Sequence, residues 1–257
     1  MAHQARKRFG QHFLTEPDVI EMIVAAVAPA PGEIIVEIGP GEAALTEPLS
    51  ALAFELHAIE FDRDLAATLR TRFAGRENVR IHEADALKFD FCTLGEDLRI
   101  VGNLPYNIST PLLFHLVQFS DRIVDAHFML QKEVVDRMAA SPGTKNFGRL
   151  TIMLGYRMET VPLFDVPPEA FSPPPKVVSS VVRMRPLPSG TFDVSNQMLL
   201  EALVRLAFTK RRKTLRNALK GMVGPDDLEA AEIDPGRRPE EIPLDAWVRL
   251  SNTLATG

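Results

Sequence analysis

The sequence predicts an α/β fold: a mostly parallel sheet with helices on both faces, followed by a small helical domain. Three observations carry this. Up to Ala139, short runs rich in Val and Ile alternate with longer segments of helical period, the order that builds βαβ units. The first of these runs opens directly into a glycine turn, as strands do at the ligand-binding edge of open α/β sheets. Beyond Pro186, Pro188, Ser189 and Gly190 only helical period is left.

Taken in order, Ile34–Ile38, Leu56–Ile59, Val79–Ile81, Leu98–Val101 and Ala126–Leu130 read as strands. Helices are expected between them over Ala43–Leu52, Asp62–Phe73, Thr110–Val117 and Lys132–Ala139. After Gly148 a short helical stretch reaches Met158. Two extended runs follow, Thr160–Val166 and Val177–Met184, separated by the proline-dense segment from Val166 to Pro175. Consecutive prolines cannot sit inside a central strand or a helix, so this connection must be a stiff loop or an edge, and a hairpin closing the sheet fits. Val194–Lys220 and Pro243–Leu254 then look helical, with Trp247 as an anchor. The boundaries place one domain over 1–189 and a helical one over 190–257.

Composition narrows the class. The chain has 257 residues, 46% hydrophobic and 25% charged, ordinary globular values that disfavour disorder, collagen-like repeats and a membrane protein. Cys92 is the single cysteine, so an intramolecular disulfide and a multi-cysteine zinc site are excluded, and a reducing compartment fits. Met1 to Phe13 is basic and polar with no signal-like apolar stretch behind it, and nowhere do about 18 apolar residues run together. A cytoplasmic protein without a membrane segment is expected. His57, His115 and His127 lie singly on apolar segments and read as packed side chains; no spacing suggests a metal site.

The formal charge of −5 argues, as an average, against a nucleic-acid partner. The distribution argues the other way. Seven basic residues and no acidic one lie between Arg205 and Lys220, including Lys210, Arg211, Arg212 and Lys213, and Arg6, Lys7 and Arg8 form a second cluster. Either alone also reads as a solvated helix face. Two clusters in one acidic chain point to a polyanion.

The first chemical signal is the glycine turn Gly39-Pro40-Gly41-Glu42-Ala43-Ala44 after the Val36–Ile38 strand end. As G-x-G-x-x-A it passes for a dinucleotide fingerprint, with Glu60 placed 21 residues after Gly39 as a ribose-binding acid. Electrostatics separates the cofactors: Glu37 and Glu42 flank the turn and would repel a diphosphate, whereas S-adenosylmethionine carries a sulfonium and an ammonium and no phosphate. Asp85 follows the third strand, placed to accept from an adenine amine or, alternatively, to cap the next turn.

The decisive motif is Gly102-Asn103-Leu104-Pro105-Tyr106-Asn107, directly after the fourth strand. The N6 nitrogen of adenine is a poor nucleophile because its lone pair is delocalised into the ring. A catalyst must hold both amino hydrogens in acceptors that favour a more tetrahedral nitrogen. Asn103 offers a side-chain carbonyl, Leu104 a backbone carbonyl fixed by the following proline, and Tyr106 a ring face. Phe171, between prolines, reads either as a core residue or as an aromatic ring presented with little entropy loss. The base must be unstacked to reach such a pocket, which favours single-stranded or loop RNA.

At this point the residues resemble the S-adenosylmethionine-dependent dimethyltransferases of small-subunit ribosomal RNA adenosines, the kasugamycin-resistance family. The resemblance covers nearly the whole chain: Lys7 to Leu14, the glycine turn, Glu60, Asp85, Asn103 to Tyr106, Leu130 to Glu133, Phe171 to Val177 and Phe208 to Asn217. It implies a class I methyltransferase (Rossmann-like) fold with a seven-stranded, mostly parallel sheet and a C-terminal helical domain that helps dock on the ribosomal particle. It implies cofactor contacts at His12, Leu14, Gly39, Glu60, Asp85 and Asn103, and target-base contacts at Asn103, Leu104, Tyr106 and Phe171. Two positions depart from the pattern: His12 stands where the family often has Asn, and Ala43 replaces the third glycine of G-x-G-x-G.

The expected activity is transfer of two methyl groups to N6 of each of two adjacent adenosines in a 3′-terminal hairpin loop of small-subunit RNA, within an immature 30S particle, by a monomer. S-adenosylhomocysteine is the product, no metal is required, and the reaction is coupled to assembly. Methylation of large-subunit RNA or DNA is the alternative in the same chemistry. A non-enzymatic assembly or RNA-binding role, or a transcription factor as among mitochondrial relatives, is the alternative of another class, and a nicotinamide dehydrogenase is the remote third.

Overall fold

The computed structural model describes residues 12–256. Along the chain these form β1 (Phe13–Leu14), α1 (Pro17–Val27), β2 (Ile34–Ile38), α2 (Thr46–Leu52), β3 (Glu55–Glu60), α3 (Arg63–Arg72), β4 (Val79–Glu83), β5 (Leu98–Asn103), α4 (Ser109–Val117), β6 (Ile123–Gln131), α5 (Lys132–Met138), α6 (Arg149–Gly155), β7 (Met158–Val166), β8 (Phe171–Ser172), β9 (Ser179–Pro186), α7 (Gln197–Thr209), α8 (Leu215–Ala218), α9 (Pro225–Ala230) and α10 (Leu244–Thr256). Short 3₁₀ turns fill some of the connections.

The seven-stranded sheet has the order β4-β3-β2-β5-β6-β9-β7. Strands β4, β3, β2, β5 and β6 are parallel, and β9 lies antiparallel to β6, with Phe128 opposite Val182. Strand β7 is the edge beside β9. Every residue of β2 and β3 after the first is buried, which suits parallel strands covered on both faces. The strand order reverses between β2 and β5, so the crevice beyond their carboxyl ends is where such a sheet binds its ligand. A second, two-stranded sheet pairs β1 with β8, Leu14 opposite Phe171.

Helix α1 does not stand among the sequence expectations. Its buried residues Val19, Ile23 and Val27 recur at a spacing of four, as an amphipathic helix requires. Its last carbonyls are satisfied from outside: Arg99 of β5 donates to Val27 O (2.6 Å) and Ala28 O (3.2 Å). The same guanidinium grips Asp125 bidentately at 3.0 and 2.8 Å and Glu33 at 2.7 Å. Arg99 and Asp125 are both buried.

The single histidines are packed. His57 Nδ1 meets His82 Nε2 at 2.9 Å, His115 Nε2 lies 2.9 Å from Phe89 O, and burial pushes the fully enclosed His127 down to about 4. Among the described residues no group of three or more His, Cys, Asp or Glu side chains is arranged to hold a metal ion. No helix among them is long and apolar enough to cross a membrane.

Two compact units result, and they differ from the expected split at residue 190. Among the described residues the first comprises 12–135 and 160–186, the second 136–159 and 187–256. Helix α6 is buried all round, from Leu150 to Leu154, and packs on α7, so this mid-chain segment belongs with the C-terminal helices. Within the second unit Trp247 is fully buried and faces Phe208, ring centroids 6.1 Å apart. The helix expected over Val194–Lys220 is broken: α7 ends at Thr209, Lys210 caps it, and the Lys213 N–H returns to Lys210 O at 2.8 Å before α8 begins. Four adjacent cations favour the carbonyl end of a helix over its interior, which places the stop at this run.

Candidate active site

The glycine turn leaves β2 with Gly39 at φ +70°, a left-handed conformation that glycine adopts without strain, and Gly39 N–H bonds Ile59 O at 2.9 Å. Ala43 also sits at φ +71° and is buried, so the third position of the turn keeps a glycine-like backbone while carrying a methyl group. Beside the turn β5 comes very close to β2. A Cβ on Gly102 would stand 2.6 Å from Ile38 O, which explains the glycine immediately before Asn103.

Between the turn and the segment after β5 opens a cleft with two adjoining lobes that share Gly39, Glu60 and Pro105. The first is lined by His12, Leu14, Glu37, Glu42, Asn103 and Tyr106, among others; the second runs past Phe61, Asp62 and Asp85 to Asn107. Among the described residues no Lys or Arg lines either lobe, while five carboxyl groups do. Such a wall repels a diphosphate and favours a cationic ligand, as the turn's sequence implied.

The carboxyl groups are held differently. Glu60 accepts from Asp62 N–H at 2.8 Å and Gly41 N–H at 3.2 Å, one on each oxygen. Burial raises its pKa and those two backbone donors oppose the shift. A carboxylate has about four acceptor positions, so both oxygens retain capacity for ligand hydroxyls. Glu37 is fully enclosed, with Oε2 lacking a partner; burial pushes it up to about 7, the Thr46 hydroxyl opposing and the Glu60 carboxylate adding. Asp85 uses Oδ1 to accept from Leu87 N–H at 3.0 Å. It is thus a turn cap and, on the wall of the second lobe, an available acceptor as well. Asp62, not Glu60, caps α3 by accepting from Asp64 N–H at 2.9 Å.

Asn103 ends β5, and its Nδ2 donates to His12 O at 2.9 Å. A backbone carbonyl can only accept, so the contact fixes the amide's orientation and leaves Oδ1 as the unengaged acceptor. Leu104 buries its side chain and ties its N–H to Met129 O at 3.2 Å. Tyr106 is held by its hydroxyl, 2.7 Å from Ser179 Oγ, and by its carbonyl, which accepts from Ser109 Oγ at 3.1 Å. The His12 ring stacks on Tyr106 at 5.6 Å and 30°, and its Nδ1 lies 2.7 Å from Pro173 O, hence donates. His12 therefore ties the N-terminal segment to the catalytic motif and to the proline loop at once.

Phe171, expected either as a core residue or as a ring offered to the target base, is 3% exposed here and packs with Leu14, Met129 and Val181. The prolines stiffen the loop, but the pairing of β8 with β1 turns this ring inward. Of the basic run, Lys210, Arg212 and Lys213 are exposed beside an open depression, whereas Arg211 is engaged at home: its guanidinium donates to Lys145 O at 2.7 Å and lies 3.6 Å from Glu240. Arg6, Lys7 and Arg8 lie outside the described residues. Sequence reasoning missed Ser179, which reads as an ordinary strand residue, and Glu37's isolation, which only the packing reveals.

A seven-stranded sheet of this order, with an acidic cleft at the β2/β5 reversal and an Asn-Leu-Pro-Tyr turn at its mouth, defines an S-adenosylmethionine-dependent class I methyltransferase. Comparison narrows the class. The family model "Ribosomal RNA adenine dimethylase" matches residues 2–256, and the chain belongs to that family. It is 55% identical to ribosomal RNA small subunit methyltransferase A of Aromatoleum aromaticum, over 98% of this chain and 95% of that protein. The protein of the same name from Pseudomonas aeruginosa is 52% identical, over 98% and 96%. Among solved structures, a dimethyladenosine transferase from Plasmodium falciparum superposes with a TM-score of 0.82 at 27% identity, covering 93% of this chain and 96% of that one. The 23S rRNA methyltransferase ErmE gives 0.74 at 26%, covering 95% and 99%.

Proposed function

We propose that this protein dimethylates N6 of two adjacent adenosines in the 3′-terminal hairpin loop of small-subunit ribosomal RNA, acting in the cytoplasm as a monomer on an immature 30S particle. The observation that carries the reading is the Asn103 amide, whose nitrogen is committed to His12 O and whose oxygen is thereby left to accept. Asn103 Oδ1 and the Leu104 carbonyl accept the two amino hydrogens of the target adenine. This draws the nitrogen lone pair out of conjugation and toward the reacting direction. Tyr106 provides the face on which the extruded base rests.

S-adenosylmethionine supplies an electrophilic methyl group on a sulfonium. The residues present fit it: Glu60 for the ribose hydroxyls, Asp85 for the adenine amine, the Gly39 turn for close backbone approach, and Glu37, Glu42, His12 and Leu14 on the wall of the other lobe. The unpartnered, buried Glu37 oxygen is what a cationic ligand would complete. Lys210, Arg212 and Lys213, with Arg6, Lys7 and Arg8, supply phosphate contacts to the RNA.

Asn103→Ala tests the reading directly. Single-turnover transfer to under-methylated small subunits should slow on the order of a hundredfold, with RNA affinity nearly unchanged, because the lost group works in the transition state. Wild-type rates in the variant would remove Asn103 from the mechanism. Mapping the methylated nucleotides in small subunits, large subunits and DNA separates the proposed substrate from a large-subunit RNA such as that named for ErmE.

A further inference from the structure

Tyr106 is anchored at the far end of its ring by a residue outside the motif. Ser179 opens β9 opposite Gln131 of β6, so its hydroxyl is mounted on the sheet, and it is fully buried. Its Oγ lies 2.7 Å from the Tyr106 hydroxyl. The buried Ser179 hydroxyl needs a partner, and Tyr106 supplies it. A tyrosine swings about two side-chain bonds; tethering its hydroxyl stops the swing without covering a ring face. His12 already occupies one face, so the tether settles the plane of the face left for a base. The adjacent Ser180 is equally buried, but its hydroxyl donates to Phe164 O at 3.2 Å, toward the sheet edge.

We infer that Ser179 is a positioning residue for methyl transfer, holding the Tyr106 ring in the plane on which the target adenine stacks. The inference rests on the proposed function. It acts through Tyr106 and touches neither substrate nor cofactor, so its signature is a loss of rate and of base stacking at unchanged cofactor affinity.

Single-turnover methylation of under-methylated small subunits gives the rate, and a small-subunit hairpin RNA with 2-aminopurine at the target position reports stacking by its fluorescence quench. Ser179→Ala should slow transfer on the order of tenfold, the worth of one hydrogen bond in the reacting geometry, and weaken the quench. Tyr106→Phe should do the same, and the double variant should be no slower than either single one, since both remove the same contact. Ser180→Ala should match wild type. Wild-type rate and quench in Ser179→Ala, a double variant whose loss is the product of the single losses, or an equal loss in Ser180→Ala would each overturn the positioning role. Should Ser179→Ala fail to fold, Tyr106→Phe carries the decision, because it removes only the other hydroxyl. If wild type transfers no methyl groups to small subunits, the proposed function falls and this inference with it; an active wild type beside an unaffected Ser179→Ala sinks the positioning role alone.

Discussion

At the scale of single residues the site depends on closeness as much as on chemistry. Gly102→Ala would place a methyl group 2.6 Å from Ile38 O and 2.9 Å from the Leu104 side chain, so β5 must move from β2 just where Asn103 is mounted. Overpacking of this kind costs about 1–3 kcal/mol, and the loss of transfer rate should exceed what the fall in melting temperature explains. Glu37 gives a pH dependence. Its folded pKa, about 7, lies above the unfolded 4.5, so between these values the folded state holds the extra proton. Glu37 therefore favours folding at lower pH, and that contribution is lost as pH rises through 7. A cationic ligand favours the ionised form, so cofactor affinity should rise between pH 6 and 8 with proton release on binding, and Glu37→Gln should flatten both; calorimetry in two buffers measures this. Glu60, Asp85, Asn103 and Tyr106 could be placed beside the cleft from sequence because each stands at or just beyond the carboxyl end of a strand the sequence shows. The His12 carbonyl and Ser179 were not, arriving from 91 and 73 residues away.

Among the elements, α1 shows how a helix escapes a reading by signals. Glu16 precedes it without a side-chain cap bond, and it stops on Ala28 at φ +46° where a glycine would have announced the end. Its stability comes instead from an apolar stripe and from Arg99 beneath its last turn. Arg99→Ala removes that cap and strands Asp125 as a buried charge, so a loss of about 3–5 kcal/mol is expected in chemical denaturation. Arg99→Met with Asp125→Leu should recover much of it, since no buried charge is then left alone; continued loss in the double variant would show that the α1 carbonyls, not Asp125, set the cost. The strands were read within a few residues because their short runs rich in Val and Ile are spaced by segments of helical period. The basic run was read as helix because periodicity carries no record of four like charges crowding a helix end.

For the whole molecule, the split of the second unit into 136–159 and 187–256 could not be seen from composition, because an apolar helix such as α6 would also suit the sheet domain and only its partner, α7, tells them apart. The exposed cations make a prediction at this scale. Replacing Lys210, Arg212 and Lys213 by Gln should weaken small-subunit binding and flatten its salt dependence by roughly 0.7–0.9 per lost phosphate contact, leaving cofactor affinity alone. Arg211→Gln should instead lower stability, because that side chain holds the Thr144–Lys145 backbone. A binding series across salt concentrations separates the two. The small β1–β8 sheet, finally, sets a schedule. His12 and Thr15 reach partners 161 and 155 residues further along, at Pro173 and Ala170. A chain growing from its N-terminus therefore makes the glycine turn and the Asn-Leu-Pro-Tyr segment before Ala170 and Pro173 exist to hold His12 and Thr15. Its first half is synthesised with these two residues still lacking the partners that fasten them.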